Sequence, residues 1–319
     1  MGKIDRPTLE GSIAVRDGRR LSFAEFGARD GEPMVWMHGT PGGRRQIPME
    51  AREYAASAGV RIIGLDRPGI GSSTRHLYRD VLDFADDLSI FLDTLGIEQT
   101  RVIGLSGGGA YTLAAGAAMP DRIRGLGVLG GVAPTVGPDA VGGGAMSLAL
   151  ALAPLLAVGR VPLSLALGQG IRVLRPLAGA AISTYAVVQP EGDRRLLSRP
   201  EFRAMFLDDL LNGSRFQMSA PIHDLVLMTR DWGFELADVQ VPVRWWHGDA
   251  DHIVPHAHGT HVVSRLPEAR FATIPGESHL GGLSLAQQVI EAMLELDGIG
   301  SLRTRTTPNA GNRATHQSQ

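Results

Sequence analysis

The sequence predicts an α/β protein, a mostly parallel, twisted sheet with helices on both faces and a helical segment inserted between two strands. Three observations carry this expectation. Apolar strand-like runs alternate with amphipathic helical runs up to about residue 132, the strand signal vanishes over residues 135–234, and it returns at Val241. Parallel neighbours need a crossover, and an intervening helix supplies one. With 319 residues, 44% of them hydrophobic, the chain can bury one large core.

The elements follow in order. Residues 12–15 and 21–26 are short extended runs around the turn Asp17-Gly18, which suggests a leading hairpin. Residues 34–37 read as a buried strand, 44–58 as an amphipathic helix, 60–65 as a second buried strand, and 66–73 as a turn-rich loop. Between 79 and 95, Leu82, Ala85, Leu88, Phe91, Leu92 and Leu95 recur at helical spacing and define one buried face. A strand at 101–105, a helix from Gly107 to near Pro120 and a strand at 125–132 complete the first part of the core. The pattern resumes with strands at 241–246 and 270–274, each followed by a helix, around 258–266 and 283–296. The expected division is a core over 1–134, a helical cap over 135–234, more core over 235–299, and a disordered polar tail over 300–319.

Composition excludes several function classes. A net charge of -2 provides no basic field for nucleic acid. The absence of cysteine removes disulfides, thiolate nucleophiles and cysteine-based zinc sites. The first residues, Met1 to Pro7, hold no apolar stretch, so the cytoplasm is the expected compartment. Residues 140–159 are uncharged and close to the roughly 20 apolar residues that span a bilayer. Gly143, Gly144 and Pro154 weaken a helix there and Arg160 follows, so an apolar lid helix with at most weak membrane-surface contact is expected.

The chemistry concentrates at Gly104-Leu105-Ser106-Gly107-Gly108, where one serine sits between two glycines at the join of a strand and a helix. Such a turn strains the serine backbone, and side chains at Gly104 or Gly108 would collide with it. Glycine is common here, at 41 residues, so the motif alone does not separate a nucleophile from an ordinary turn. A serine hydroxyl also needs a base and an orienting acid. Two later loops offer them: 247–255, with Asp249 and Asp251, and 275–280, with His279. Both follow strands, and parallel strands end on one rim, so these groups can converge on Ser106.

With these segments, the stretch His38-Gly39-Thr40-Pro41-Gly42-Gly43 and the loop 66–73, the chain resembles the α/β-hydrolase fold family over roughly residues 10–297. The resemblance implies Ser106 as nucleophile, His279 as general base and Asp251 as the acid that orients it. Asp251 is preferred because 248–255 fits the family's Gly-x-x-Asp-x-x-x-Pro pattern, and Asp249 competes with it. It also implies an oxyanion hole from the Gly107 and Thr40 amides, each donor contributing on the order of 3 kcal/mol. A serine rather than an aspartate at the elbow points to acyl transfer, with no cofactor and no metal.

The expected substrate is a small-molecule acyl compound, a small or medium-chain carboxylic ester cleaved through an acyl-enzyme. Residues 146–156 with Phe206, Leu210, Phe216, Met218 and Met228 offer apolar surface for an acyl chain, or else pack the cap onto the core. The loops at 38–43 and 107–109 are also similar to those of proline iminopeptidases, although Thr40 stands where those often carry glycine. Such an aminopeptidase would hold its substrate's amine with Glu191, Glu201, Asp208 or Asp209. A haloperoxidase, a thioesterase and a low-turnover small-molecule receptor remain alternatives. His247, His252, His256, His258 and His261 match no metal-ligand motif and are read as structural. Arg67 is read as a loop anchor, and Gly69 and Gly71 lack the Lys-Ser/Thr ending of a phosphate loop.

Overall fold

The computed structural model describes residues 6–296, so the tail expected at 300–319 lies outside the described residues. Eight strands form one sheet: β1 (Leu9–Ala14), β2 (Arg20–Gly27), β3 (Glu32–Met37), β4 (Val60–Leu65), β5 (Thr100–Leu105), β6 (Ile123–Leu129), β7 (Val243–Gly248) and β8 (Ala269–Ile274). Their order is β1-β2-β4-β3-β5-β6-β7-β8. The β1–β2 and β2–β4 pairs are antiparallel and the rest parallel. The chain steps from β3 outward to β4 and then returns to β5 on the other side. A crevice therefore opens beyond the carboxyl ends of β3 and β5, where such sheets bind ligands.

The central strands are buried on both faces because successive side chains point to opposite sides. Val35 and Met37 of β3 join a cluster with Leu88, Phe91 and Leu113, which come from α2 (Phe84–Thr94) and α3 (Gly108–Ala118). Met34 and Trp36 face the other way, onto Ala51 of α1 (Met49–Ala58) and Ile290 of the last helix, at Ala286–Glu295. Strand β7 lies two residues later than the sequence expectation, and three of the other departing ends have a visible cause. The first helix starts only at Met49, after Pro48, and Leu82 donates its amide to the Trp232 carbonyl at 2.9 Å, so residues 79–83 form a turn. Strand β6 stops at Leu129 because Gly130 turns the chain at φ +53°.

Between β6 and β7 lie six α-helices, two single-turn 3-10 helices and no strand: α4 (Gly144–Ala151), α5 (Ala153–Leu174), α6 (Ala178–Val188), α7 (Glu191–Ser198), α8 (Pro200–Gly213) and α9 (Ala220–Met228). The apolar stretch 140–159 is not one helix; it divides between an irregular segment, α4 and the start of α5, with a break at Leu152. After β7 come α10 (His256–Arg265), β8 and α11 (Ala286–Glu295).

Candidate active site

Ser106 occupies the turn from β5 into α3 with φ +53°, a left-handed conformation that costs a side-chain-bearing residue on the order of 1 kcal/mol. Its amide donates to the Leu129 carbonyl at 2.8 Å, tying the turn to β6. A Cβ on Gly104 would stand 2.3 Å from Thr112 Oγ1 and 2.6 Å from the Gly108 carbonyl oxygen, so the turn closes only around glycine. Gly108 answers a different need from the one its spacing suggests. A Cβ there would meet the carbonyl oxygens of Met37 and His38 at 2.5 and 2.6 Å, so glycine lets α3 approach the end of β3.

Ser106 Oγ lies 2.8 Å from His279 Nε2, and His279 Nδ1 lies 2.8 Å from Asp251 Oδ2. The other oxygen of Asp251 accepts the Ile253 and Val254 amides, both at 2.9 Å. Burial opposes ionisation of Asp251, but bonds to His247, His279 and the Val254 amide outweigh it and hold the carboxyl well below the usual carboxylate range. Asp249 does not reach the histidine. It is exposed and accepts the Gly276 amide at 2.7 Å, closing the β7 loop onto the β8 loop.

His247 holds the acid from the far side. Trp245 Nε1 donates to its Nδ1 at 3.2 Å, which leaves the proton on Nε2, 2.9 Å from the Val254 carbonyl and 3.3 Å from Asp251 Oδ2. His256, His258 and His261 bond to the Thr273 hydroxyl and the Gly142 and Asp139 carbonyls, and His252 is exposed.

Neither the Thr40 amide nor the Gly107 amide has an acceptor among the described residues. The two residues lie side by side: a Cβ on Gly107 would stand 2.6 Å from Thr40 Oγ1. Thr40, which precedes a cis peptide bond to Pro41, is set by a buried network. Arg67 Nη2 donates to Thr40 Oγ1 and to Asp224 Oδ2, both at 2.7 Å, and to the Gly39 carbonyl at 3.0 Å. Thr40 Oγ1 in turn donates to Asp224 Oδ2 at 2.7 Å, and Tyr111 donates to Oδ1 at 2.8 Å. Burial raises the proton affinity of Asp224, but Arg67 first and then these bonds bring it below the ordinary range. Burial and the nearby Arg67 push His38 down to about 3, so it is neutral and accepts the Arg67 amide on Nε2 at 3.3 Å.

Asp224 is on α9, and two more aspartates from the inserted helices reach loops around the same crevice. Asp209, on α8, accepts the Gly43 amide at 2.8 Å and the Arg45 amide at 3.0 Å. Burial and the neighbouring Asp66 push its carboxyl up to about 7. Asp193, on α7, accepts the Leu280 amide at 2.9 Å beside His279, while its own amide donates to Ser278 Oγ at 3.2 Å. Sequence reasoning missed Asp193 and Asp224. For Asp224 the available signal was a lone carboxylate among apolar helical residues, Ile222-His223-Asp224-Leu225-Val226; Asp193, beside Glu191, Arg194 and Arg195, offered none.

A cavity of about 320 Å³ opens onto Ser106, His279 and Thr40, with Ile182, Phe206, Leu210 and Met218 among its walls. Of the residues proposed as acyl surface, Phe206, Leu210 and Met218 line it; residues 146–156 do not, Phe216 is exposed, and Met228 is buried against Gly107. Of the proposed amine-holding carboxylates only Asp209 borders the cavity. Asp208 pairs with Arg45, Glu201 with Arg199, and Glu191 is exposed.

A family model described as serine aminopeptidase, S33, matches residues 47–280. A proline iminopeptidase of Arabidopsis thaliana is 33% identical over 129 residues, covering 40% of this chain and 33% of that enzyme. Among solved structures, an α/β hydrolase fold protein from Nakamurella multipartita superposes with a TM-score of 0.65 at 18% identity, covering 91% of this chain and all of that one. An esterase from Thermogutta terrifontis does so with a TM-score of 0.61 at 20% identity, covering 93% and 99%. These two likenesses show the fold. The chain spans between a third and two thirds of the length of the first curated relatives it matches.

Proposed function

We propose that this chain, which belongs to the serine aminopeptidase S33 family and has the α/β-hydrolase fold, is a serine hydrolase that cleaves a small or medium-chain carboxylic ester. The observation that carries the reading is the unbroken chain of short contacts from Asp251 through His279 to Ser106 at the edge of an apolar cavity.

In this reading Ser106 Oγ attacks the ester carbonyl as His279 Nε2 takes its proton, and ionised Asp251 stabilises the imidazolium that forms. The carbonyl oxygen, now an oxyanion, receives the free amides of Thr40 and Gly107. His279 returns the proton to the leaving alcohol, and the acyl group stays on Ser106. Water, deprotonated by His279, then releases the carboxylic acid. The helices over the crevice act as a cap that limits water and fits the acyl chain.

The main competitor is an aminopeptidase, favoured by the family description and by Asp209 at the cavity edge. Two features support the ester instead. Both oxygens of Asp209 are occupied by main-chain amides, and its raised proton affinity weakens it as a counter-ion for an ammonium group. The walls named above are apolar and suit an acyl chain.

A panel of acyl esters of rising chain length against aminoacyl amides decides the matter, and preference for proline amides would replace the ester reading. A fluorophosphonate probe tests the machinery. Labelling should appear on the wild type and Asp249→Asn, vanish in Ser106→Ala, and fall by several orders of magnitude in His279→Ala. Full labelling of His279→Ala would refute the base assignment.

A further inference from the structure

The longest helix, α5, turns an apolar side to solvent. Leu155, Val158, Leu165 and Val173 are 65, 85, 52 and 76% exposed, and at about 100° per residue they fall within one quarter of the helix circumference. Val187, on α6, is 71% exposed. Soluble surfaces rarely leave so contiguous an apolar patch uncovered.

The opposite side of α5 is committed to the protein. Leu167 and Ile171 pack on Met218 and Ala220, and Ser164 and Gly168 are buried. The stretch Ala153–Val187 is long and apolar enough to cross a bilayer, but crossing would strip those inner contacts. A helix with one packed side and one bare apolar side is suited to lying along an interface.

Charge selects the occupant. Residues 140–190 contain no aspartate or glutamate. Arg172 donates to Gln169 Oε1 at 3.3 Å and to the Phe216 carbonyl at 3.1 Å, and Arg175 to the Leu211 carbonyl at 2.8 Å. The Arg215 guanidinium stands 5.3 Å over the ring of exposed Phe216. None of these three arginines has a carboxylate partner among the described residues, whereas Arg16, Arg45 and Arg199 each pair with two or more. Unneutralised guanidinium groups beside a bare apolar stripe complement anionic headgroups above acyl chains. A second copy of the chain would instead bring like charges together.

We propose that the outward face of α5 docks on an anionic lipid surface. The inference stands apart from the ester reading, and its test reads binding only.

Full-length protein is sedimented with vesicles of phosphatidylcholine alone or of equal parts phosphatidylglycerol and phosphatidylcholine. The wild type should bind the anionic vesicles more tightly, and added salt should weaken that binding. Val158→Asp/Leu165→Asp should lose at least about tenfold in affinity. Arg172→Gln/Arg175→Gln/Arg215→Gln should lose roughly fivefold per arginine and with it the preference for phosphatidylglycerol. Val158 and Leu165 project into solvent, so Val158→Asp/Leu165→Asp should keep the wild-type melting temperature, which separates lost docking from lost folding; the arginine variant also gives up the bonds to the Phe216 and Leu211 carbonyls, so its binding is compared at a temperature where circular dichroism shows it fully folded. Failure of the wild type to bind either vesicle, or equal binding to both, would overturn the proposal. So would a lipid-free dimer that Val158→Asp/Leu165→Asp dissociates, since the face would then be a subunit interface.

Discussion

The Arg67–Asp224 pair offers the sharpest test of how the site is held. Asp224 receives two bonds from Arg67, one from Thr40 and one from Tyr111, and both charged groups are almost fully buried. Asp224→Asn keeps the volume and removes the charge, leaving the Arg67 guanidinium uncompensated, at a cost of about 3 to 5 kcal/mol. Arg67→Met strands the carboxylate instead, with Tyr111 and Thr40 still bonding to it, at about 3 kcal/mol. The double variant removes both charges, so its loss should fall short of the sum by about 2 kcal/mol in urea unfolding. Turnover should behave differently. Every one of these variants disturbs at least one of the two anchors of Thr40, and the Thr40 amide matters only once an oxyanion forms, so kcat should drop about ten- to a hundredfold in all three with little change in KM. Strictly additive stability losses would refute the buried-pair account. Normal kcat in Asp224→Asn would refute the link from this network to the oxyanion site.

Two further outcomes follow. Ser106→Gly and Ser106→Ala both lose the hydroxyl, but only glycine relieves the positive φ, so the glycine variant should be more stable by about 1 kcal/mol in chemical denaturation; equal stability would show that the turn is unstrained. Asp209 is raised to about 7 in the folded protein, so the native state keeps a proton that the unfolded chain releases, and its contribution to stability falls as pH rises from about 4 to 7, by up to roughly 4 kcal/mol. His38, lowered to about 3, works in the opposite direction, since the unfolded chain binds the extra proton there. Stability of Asp209→Asn should therefore climb more steeply with pH than that of the wild type across this window, and parallel profiles would refute the assignment.

What was legible in the sequence follows from the range of the interactions. β3, β4 and β5 announce themselves because strands covered on both faces read as continuous apolar runs. The elbow is legible because glycine at 104 and 108 answers a steric demand made within a few residues or by the adjacent strand. Helix starts were less so, since the turn at 79–83 depends on Trp232, far along the chain. Motif spacing singled out Ser106, Asp251 and His279, and these three side chains meet. Asp249 and Asp251 differ by what surrounds their loop, which composition does not encode. Asp193 is 87 residues from Leu280 and Asp224 is 157 from Arg67, and no local pattern carries such a pairing.

Those long-range pairings also explain why the inserted helices cannot be a passive cover. Asp193, Asp209 and Asp224 come from three successive helices, α7, α8 and α9, and each ends on a different part of the crevice: the loop of His279, the loop at 43–45, and the Arg67–Thr40 pair. A buried amide left without its acceptor costs about 1 to 3 kcal/mol, so the Leu280, Gly43 and Arg45 amides together bind the helices to the core by several kcal/mol. The same three amides fix loops that position His279 and Thr40, the base and an oxyanion donor of the proposed reaction. Any displacement of these helices that widens the cavity would therefore loosen the loops that surround Ser106, so access and the geometry of the proposed catalytic groups are coupled through the three aspartates.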